Sequence, residues 1–258
     1  MGIIFSQNTI SITGKVSART ANASYPVTNV AIWDSLVQHF RADDALANDW
    51  LLKIDFTAAT PVAALFINHC NFDSITIQGN ATDVWTSPSF TSTVSISKDR
   101  YVGRYKAFIA LTAFNYRYLR LFIPTGETPT GGEGYWFVSS VIPVSATTEF
   151  SLSMDYPYAR GAGKPFKDNE FPSGKKERIL TGSHKKWMGR ISWGTRPSNS
   201  ESDMLTLHEM DIEDPLIYFE NMGDTSRAYY CLRDNAYENT LAGYNRQQPK
   251  DMGFSEVI

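Results

Sequence analysis

The stretch spanning residues 62–80 constrains the fold more than any other part of the sequence. It opens on an unbroken apolar run, residues 62–67, which is too short for a free-standing helix and ends in Asn-His-Cys-Asn. Such a run predicts a strand buried on both faces. After a turn, Phe72, Ile75 and Ile77 are interleaved with polar residues, which is the period-two pattern of a half-buried strand. The two strands together predict the core of a β-sandwich.

Two other segments extend this prediction. In residues 116–123, Leu119 and Leu121 fall on one face of a predicted strand, while aromatic and basic side chains fall on the other. Residues 50–56 form a further predicted strand that opens on a tryptophan. The segments together indicate a mainly β protein with little helix.

These segments resemble, in order, the strand motifs of the discoidin, or coagulation-factor C-type, branch of the galactose-binding-like jelly rolls. The motifs are a tryptophan leading into an Ile-Asp strand at 50–56, Ile-Thr-Ile-Gln-Gly-Asn at 75–80, and Tyr-Arg-Tyr-Leu-Arg-Leu at 116–121. The resemblance covers roughly residues 12–145 and implies a jelly-roll sandwich. Because strand motifs carry it, the resemblance predicts fold far more than function.

Length and composition set further bounds. A chain of 258 residues with a change of composition near residue 146 favours two domains, 1–145 and 146–258. The net charge of −3 gives no basic field for nucleic acid, and no apolar run is long enough to cross a membrane. No signal peptide is evident, so we expect synthesis and folding in the cytoplasm. Cys70 and Cys231 lack metal-ligand spacing and are predicted to be small buried hydrophobes.

The second half resembles, at the level of pattern, the β-rich tail-tube-like domain of bacteriophage distal tail and baseplate proteins. Three segments carry this resemblance: a tryptophan strand at 188–193, Leu-Thr-Leu-His-Glu at 205–209, and a final strand at 254–258. Polar and acidic residues at 198–203 predict the start of a short helix. The resemblance implies a structural protein of a phage or phage-like tail tip, made in the host cytoplasm and carried in the virion. Its partners would be copies of itself in a hexameric or trimeric ring and other tail tube, hub or tip proteins.

A long basic loop is predicted at residues 160–186, because nine Lys or Arg residues occur between 160 and 190 and apolar residues are scarce. An acidic stretch follows it. The two blocks either pair within one chain as a solvated surface or join neighbouring subunits of a ring, where charge guides association. The residues proposed for the intersubunit contact are Lys164, Lys167, Lys175, Lys176, Arg178, Glu209, Asp211, Glu213 and Asp214.

No catalytic constellation stands out. The nearest metalloprotease pattern, His208-Glu209, lacks a second histidine four residues after the first, so it has no zinc clamp on one helix face. Nucleophile-elbow and phosphate-loop motifs are not found. We therefore expect no enzymatic activity, no cofactor and no transition metal, and we leave weak calcium binding at Asp43 and Asp44 open.

Carbohydrate binding is the alternative function, because jelly-roll relatives often have a sugar site. A sugar needs an aromatic face for the apolar side of its ring and a few fixed polar groups. Trp33, Trp50, His69, Asn71 and Trp85 are candidates by position, and Trp33, His69 and Asn71 are proposed as the glycan site. In the competing interpretation, the tryptophans belong to the core and His69 satisfies backbone groups in a turn.

Two functional hypotheses follow from the sequence. In the first, the protein is a non-enzymatic tail-tip component whose C-terminal domain forms the ring. The sandwich then projects as a decoration or adhesion platform, with a host surface glycan as a further partner. In the second, the protein is a lectin-like carbohydrate-binding module.

Overall fold

The computed structural model describes residues 2–150, 159–164, 166–170, 176–180, 185–191, 196–197, 213–221, 224–234, 239–243, 246–249 and 252–257. The strands of the first half are β1 (Gly2–Ser6), β2 (Val16–Ala18), β3 (Phe40–Arg41), β4 (Asp49–Pro61), β5 (Ala64–Cys70), β6 (Ser74–Asn80), β7 (Phe90–Ser95), β8 (Ser97–Lys98), β9 (Tyr105–Ala110), β10 (Asn115–Ile123) and β11 (Phe137–Val144). A 3-10 helix, Val27–Ala31, lies between β2 and β3. The later strands are β12 (Thr148–Phe150), β13 (Ala159–Gly163), β14 (Phe166–Glu170), β15 (Lys176–Leu180), β16 (Lys186–Ile191), β17 (Arg196–Pro197), β18 (Leu216–Asn221), β19 (Ala228–Arg233), β20 (Asn239–Gly243), β21 (Arg246–Pro249) and β22 (Met252–Glu256).

Antiparallel pairing arranges β2 to β11, all within described residues 2–150, into two sheets. Sheet I has the order β2-β4-β10-β6-β7, and sheet II has the order β3-β11-β5-β9-β8. Their inner faces pack into one apolar core, whose fully buried members include Leu52, Ile54, Leu65, Ile67, Ile77, Leu119, Leu121 and Val138. Two antiparallel sheets packed face to face confirm the predicted mainly β sandwich.

The stretch at 62–80 forms β5 and β6, as its pattern predicts. The turn between these strands carries the chain from sheet II to sheet I. Gly79 in β6 is needed for close packing, because a Cβ atom there would lie 2.5 Å from the ring of Phe114. The stretch therefore contributes to both layers of the sandwich.

A third sheet, the C-terminal sheet, has the order β12-β1-β18-β19-β22-β16-β13. Apolar residues around Trp187, Leu216, Ala228 and Phe254 predict four strands, and these are present in the sheet as β16, β18, β19 and β22. The first strand of the chain also belongs here, since β1 pairs with β12 and β18. The prediction that placed residues 1–6 with the sandwich is corrected by this pairing. Its physical reason is Phe5, which is fully buried in the core of the C-terminal sheet.

The basic stretch predicted as a long loop at 160–186 contains strands instead. β13 pairs with β16 at the edge of the C-terminal sheet, and β14 pairs with β15 in a hairpin. The hairpin register places Asp168 opposite Arg178 and Glu170 opposite Lys176. The register also pairs Phe166 with Leu180, so a stretch with few apolar residues still forms paired strands.

The spacing of Leu36, Val37 and Phe40 favours a short helix within residues 34–49, and the structure corrects this prediction. Turns and bends occupy that segment before and after β3. Leu36 and Phe40 are buried, whereas Val37 is 69% exposed, so the three do not share one apolar face. The helix start predicted at 198–203 lies outside the described residues. In the described part of the chain, no helix is both long and apolar enough to cross a membrane.

The C-terminal sheet packs on part of the outer face of sheet II. Phe108 of β9 stacks on Phe219 of β18 with ring centroids 4.6 Å apart. The apolar cluster around them also contains Ala64, Phe66, Ile142, Val144, Ile217, Ala228 and Tyr230. Buried polar contacts flank this cluster: the Tyr229 hydroxyl donates to Asp99 Oδ2 at 2.7 Å, and Arg104 pairs with Glu256.

Candidate functional site

Two histidines and an arginine share one surface at the β3 edge of sheet II. Phe40 is fully buried in the sandwich core, so its neighbours His39 and Arg41 point to the opposite, outer face. In the adjacent strand, Phe137 is the register partner of Arg41. We call the surface formed by Tyr25, His39, Arg41, His69, Tyr135 and Phe137 the histidine surface. All six side chains are half-buried.

The rings of the histidine surface form a continuous row. Tyr25 stacks on His39 with centroids 4.7 Å apart and an interplanar angle of 19°. Phe137 lies 5.4 Å from His39 on one side and 5.2 Å from His69 on the other. Each ring contacts the next, so the row is fixed by mutual packing as well as by the strands that carry it.

His69 reaches this surface because its backbone is left-handed, with a φ of 54°. Ile67 and Cys70 both face the core although they are an odd number of residues apart, which an unbroken strand does not allow. His69 resets the alternation at a register shift between β5 and β9. Its Nδ1 atom lies 3.2 Å from the hydroxyl of Ser139. Left-handed non-glycine residues store about 1–3 kcal/mol of strain and cluster at functional sites.

Asn71 fixes the backbone of Tyr135 and Phe137, where the chain enters β11. Its Nδ2 donates to the Tyr135 carbonyl at 2.8 Å, and its Oδ1 accepts from the Phe137 amide at 2.8 Å. The side chain is buried, so both ends of its amide serve the backbone. Asn71 therefore positions the histidine surface, whereas the sequence prediction made it a contact residue for the sugar.

Burial lowers the pKa of His39 below its ordinary value of 6.5, and the nearby Arg41 charge acts in the same direction, while the Val37 carbonyl opposes them. The ring is therefore neutral at pH 7. Its Nδ1 lies 3.1 Å from the Val37 carbonyl, which can only accept a hydrogen bond. This contact assigns the proton to Nδ1 and makes Nε2 an acceptor.

Arg41 provides the donors of the histidine surface. Its guanidinium carbon lies 3.6 Å from the centre of the Tyr135 ring and 5.9 Å from that of Tyr25. Its buried Nε has no hydrogen-bond partner, and no carboxylate of the described residues pairs with the group. An unsatisfied buried donor costs about 1–3 kcal/mol.

The structure separates the three residues predicted to bind glycan. His69 lies on the histidine surface and Asn71 lies beneath it. Trp33 packs edge-on against Tyr230 of β19, with centroids 6.2 Å apart, in the contact between the sandwich and the C-terminal sheet. The other two tryptophan candidates, Trp50 and Trp85, lie on the outer face of sheet I, beside Lys53 and Arg120 respectively.

The residues proposed for an intersubunit contact are dispersed. Lys164, Glu213 and Asp214 are exposed. Lys167, Lys176 and Arg178 are in the β14–β15 hairpin, and Lys175, Glu209 and Asp211 lie outside the described residues. No finding tests the contact itself, which stays a prediction.

The carboxylates considered for calcium have protein partners. Arg19 pairs with Asp44, and the Asn22 side chain donates to Asp43 Oδ1 at 3.4 Å. Across the described ranges, no group of three or more His, Cys, Asp or Glu side chains could hold a metal ion.

Sequence reasoning missed Tyr25, His39, Arg41, Tyr135 and Phe137. One signal was available: His39 and Arg41 flank a phenylalanine, and alternation puts both on one face of a strand. Nothing in the sequence places that face beside Phe137, because β3 and β11 are far apart along the chain and meet only through sheet pairing.

No protein-family model matches the chain, and no curated protein is significantly similar to it. Several solved structures match about half of it. Chitosan-binding module 1 of a chitosanase/glucanase from Paenibacillus sp. IK-5 is 13% identical, with 52% of this chain and 97% of that chain covered and a TM-score of 0.37. The lectin domain of lectinolysin, in complex with Lewis B antigen, is 14% identical, with 53% and 97% covered and a TM-score of 0.39. CpGH89CBM32-4, produced by Clostridium perfringens and in complex with GlcNAc-α-1,4-galactose, is 16% identical, with 54% and 96% covered and a TM-score of 0.39. Because the TM-scores are this low, these similarities are not evidence about the site. The evidence for the site is its own geometry.

Proposed function

We propose that this protein is a non-catalytic carbohydrate-binding protein whose histidine surface holds a neutral sugar of a glycan. One observation carries the proposal: a packed row of aromatic and imidazole rings lies beside Arg41, whose buried Nε has no partner among the described residues. Sugar sites combine ring faces for the C–H side of a pyranose with a few fixed polar groups, and this surface has both.

The polar groups of the surface complement sugar hydroxyls. A hydroxyl can donate to Nε2 of neutral His39 and accept from the guanidinium of Arg41. The aromatic rings beside them offer apolar area to the ring carbons. Because packing already fixes these side chains, little conformational freedom is lost on binding, which favours affinity.

The tail-tip hypothesis stays a prediction, together with its ring, its tail partners and its place in the virion. Both interpretations of the basic stretch, a solvated surface within one chain and a contact between subunits, stay predictions. No observation on the described residues favours assembly over glycan binding. A glycan-binding sandwich is compatible with an adhesion platform on a larger particle.

The variant Arg41→Gln tests the sugar site. We expect the wild-type chain to bind neutral glycans on an array and in calorimetry. Arg41→Gln should weaken that binding about tenfold or more, because hydrogen bonds to a charged donor contribute roughly 1.5–3 kcal/mol. Circular dichroism would establish that the variant is folded.

Arg100→Gln is the matched control. Arg100 is exposed and lies 5.2 Å from the Tyr101 ring, so it makes the same kind of contact away from the histidine surface. Its removal should leave glycan affinity unchanged. The proposal fails if no neutral glycan binds, or if both variants bind as the wild type does.

A further inference from the structure

The outer face of sheet I carries aromatic and cationic side chains in rows. Leu119 and Leu121 of β10 are buried in the core, so Tyr118, Arg120 and Phe122 lie on the outer side, where all three are half-buried. Register places Phe122 opposite Trp50, and it places Arg120 between Lys53 of β4 and Gln78 of β6. An aromatic row thus runs beside a polar row.

A β-bulge produces this arrangement. The register between β4 and β10 shifts at the step from Leu121 to Phe122. Leu51 and Leu52 are both buried, so Trp50 and Lys53 both face outward although they are an odd number of residues apart. Bulges of this kind re-aim side chains and are frequent beside binding sites. Residues two apart along a strand are about 7 Å apart, so one ligand ring can contact both rows.

The cations of this face differ in their partners. Lys53 pairs with Asp83, and Arg117 makes a two-pronged contact with Asp55 at 2.8 and 2.9 Å. Arg120 has no carboxylate partner among the described residues. Among the described residues, its side chain makes one hydrogen bond, from Nε to Gln78 Oε1 at 2.7 Å, which leaves both Nη groups for an outside acceptor.

Two aromatic rings fix the guanidinium of Arg120 in position. Its guanidinium carbon lies 4.2 Å from the centre of the Trp85 ring and 5.5 Å from that of Phe122. The Trp85 indole is fixed in turn, because its Nε1 donates to Asp83 Oδ1 at 2.6 Å. A planar guanidinium that is stacked and oriented in this way suits two-pronged recognition of a carboxylate.

We propose that the outer face of sheet I is a second binding site, which takes a carboxylated sugar of an acidic polysaccharide. The carboxylate would pair with Arg120, and the sugar ring would lie along the row formed by Trp50 and Phe122. Charge complementarity argues for an anionic ligand, since Arg120 is the cation of this face that lacks a carboxylate partner among the described residues. The half-buried aromatic row argues for a sugar ring beside that anion. The site is on the other sheet from the histidine surface and does not depend on it.

The test uses the full chain with hyaluronate oligosaccharides and their carboxyl-reduced forms, which keep the sugar backbone and lose the charge. We expect calorimetry to show binding of the charged form, weakened by salt, and little binding of the reduced form. Arg120→Gln should weaken binding about tenfold or more, because it removes a charge-assisted contact. Arg117→Gln, in which a cation already paired with Asp55 is removed, should change the affinity less than about twofold.

Three outcomes would overturn this second site. They are a wild-type chain that does not bind hyaluronate, an Arg120→Gln variant that binds as the wild type does, and complete displacement of hyaluronate by polyglutamate. The third would assign the face to acidic peptides. Arg41→Gln should leave hyaluronate binding unchanged, so failure of the histidine surface and failure of this site are distinguishable.

Discussion

Among single residues, the charges buried between the sandwich and the C-terminal sheet respond most strongly to their surroundings. Lys106 is fully buried, with its Nζ 3.5 Å from the centre of the Tyr229 ring, and burial lowers its pKa to about 8. Glu220 is almost fully buried, and burial raises its pKa to about 7, although Arg227 acts in the opposite direction. Sequence patterning placed Glu220 in the acidic stretch, residues 201–224, that follows the basic stretch. Charge alone does not reveal which residues a second sheet will cover.

The Glu220 carboxyl should make stability depend on pH. Its folded-state pKa of about 7 exceeds the ordinary value of 4.5, so its contribution to stability is complete below pH 4.5 and is lost as the pH rises through 7. The loss amounts to roughly 3 kcal/mol. We therefore expect Glu220→Gln to be more stable than the wild type at pH 8 and about equally stable at pH 4.5, as measured by urea unfolding.

Glu149→Gln is the control for this pH effect, since Glu149 is exposed on β12. Its difference from the wild type should stay near zero at both pH values. An equal effect of Glu220→Gln at pH 4.5 and pH 8 would mean that burial does not control this carboxyl.

Among the elements, β1 shows how far apart along the chain the partners of one sheet can be. Phe5 is fully buried, and its ring packs edge-on against Tyr218, with centroids 5.3 Å apart, and at a tilt of 33° against Phe254, with centroids 5.6 Å apart. The extreme N-terminus thereby completes the core of a sheet built mostly from the second half of the chain.

Phe5→Ala should destabilise the C-terminal sheet by about 3–5 kcal/mol, the usual cost of truncating a buried phenylalanine. Hydrogen exchange measured by mass spectrometry should show protection lost first in β18, β19 and β22. Leu46→Ala, at a side chain that is 56% exposed, should have little effect. Loss of protection confined to β4, β6 and β10 would contradict the place assigned to β1.

The sequence correctly located the strands that bury apolar side chains in the sandwich core. β6 and β10 each bury one apolar face, so period-two patterning identifies them, whereas β5 is buried on both faces and is identified by its unbroken apolar run. β14 and β15 were missed because apolar residues are scarce in the stretch 160–186, so its composition predicted a loop. The partner of β1 could not be predicted, since alternation reveals which face is buried but not which strand lies beside it.

In the whole molecule, the two proposed ligand surfaces lie on opposite layers of one sandwich. The histidine surface lies on sheet II, and the row centred on Arg120 lies on sheet I. The C-terminal sheet covers another part of sheet II through Phe66, Phe108 and their neighbours. Because the C-terminal sheet covers this part of sheet II, Trp33, which was predicted to contact sugar, packs on Tyr230 instead.

The sequence identified single residues of the candidate site, but it did not show which residues lie together in the folded chain. His69 was identified because it ends an apolar strand in a polar cluster. Its strained backbone and its contact with Phe137 depend on the register of three strands. Pairwise sheet contacts of that kind leave no local pattern, so the histidine surface could be recognised only in the folded chain.

The central claim, that the histidine surface binds a sugar, is tested most directly by imidazole NMR. The chain contains four histidines, and two of them, His39 and His69, lie on this surface. Histidine-labelled protein would be titrated with the best neutral glycan from the array. We predict saturable shifts of the His39 and His69 ring signals. Glycan binding that leaves both His39 and His69 unshifted would contradict the account.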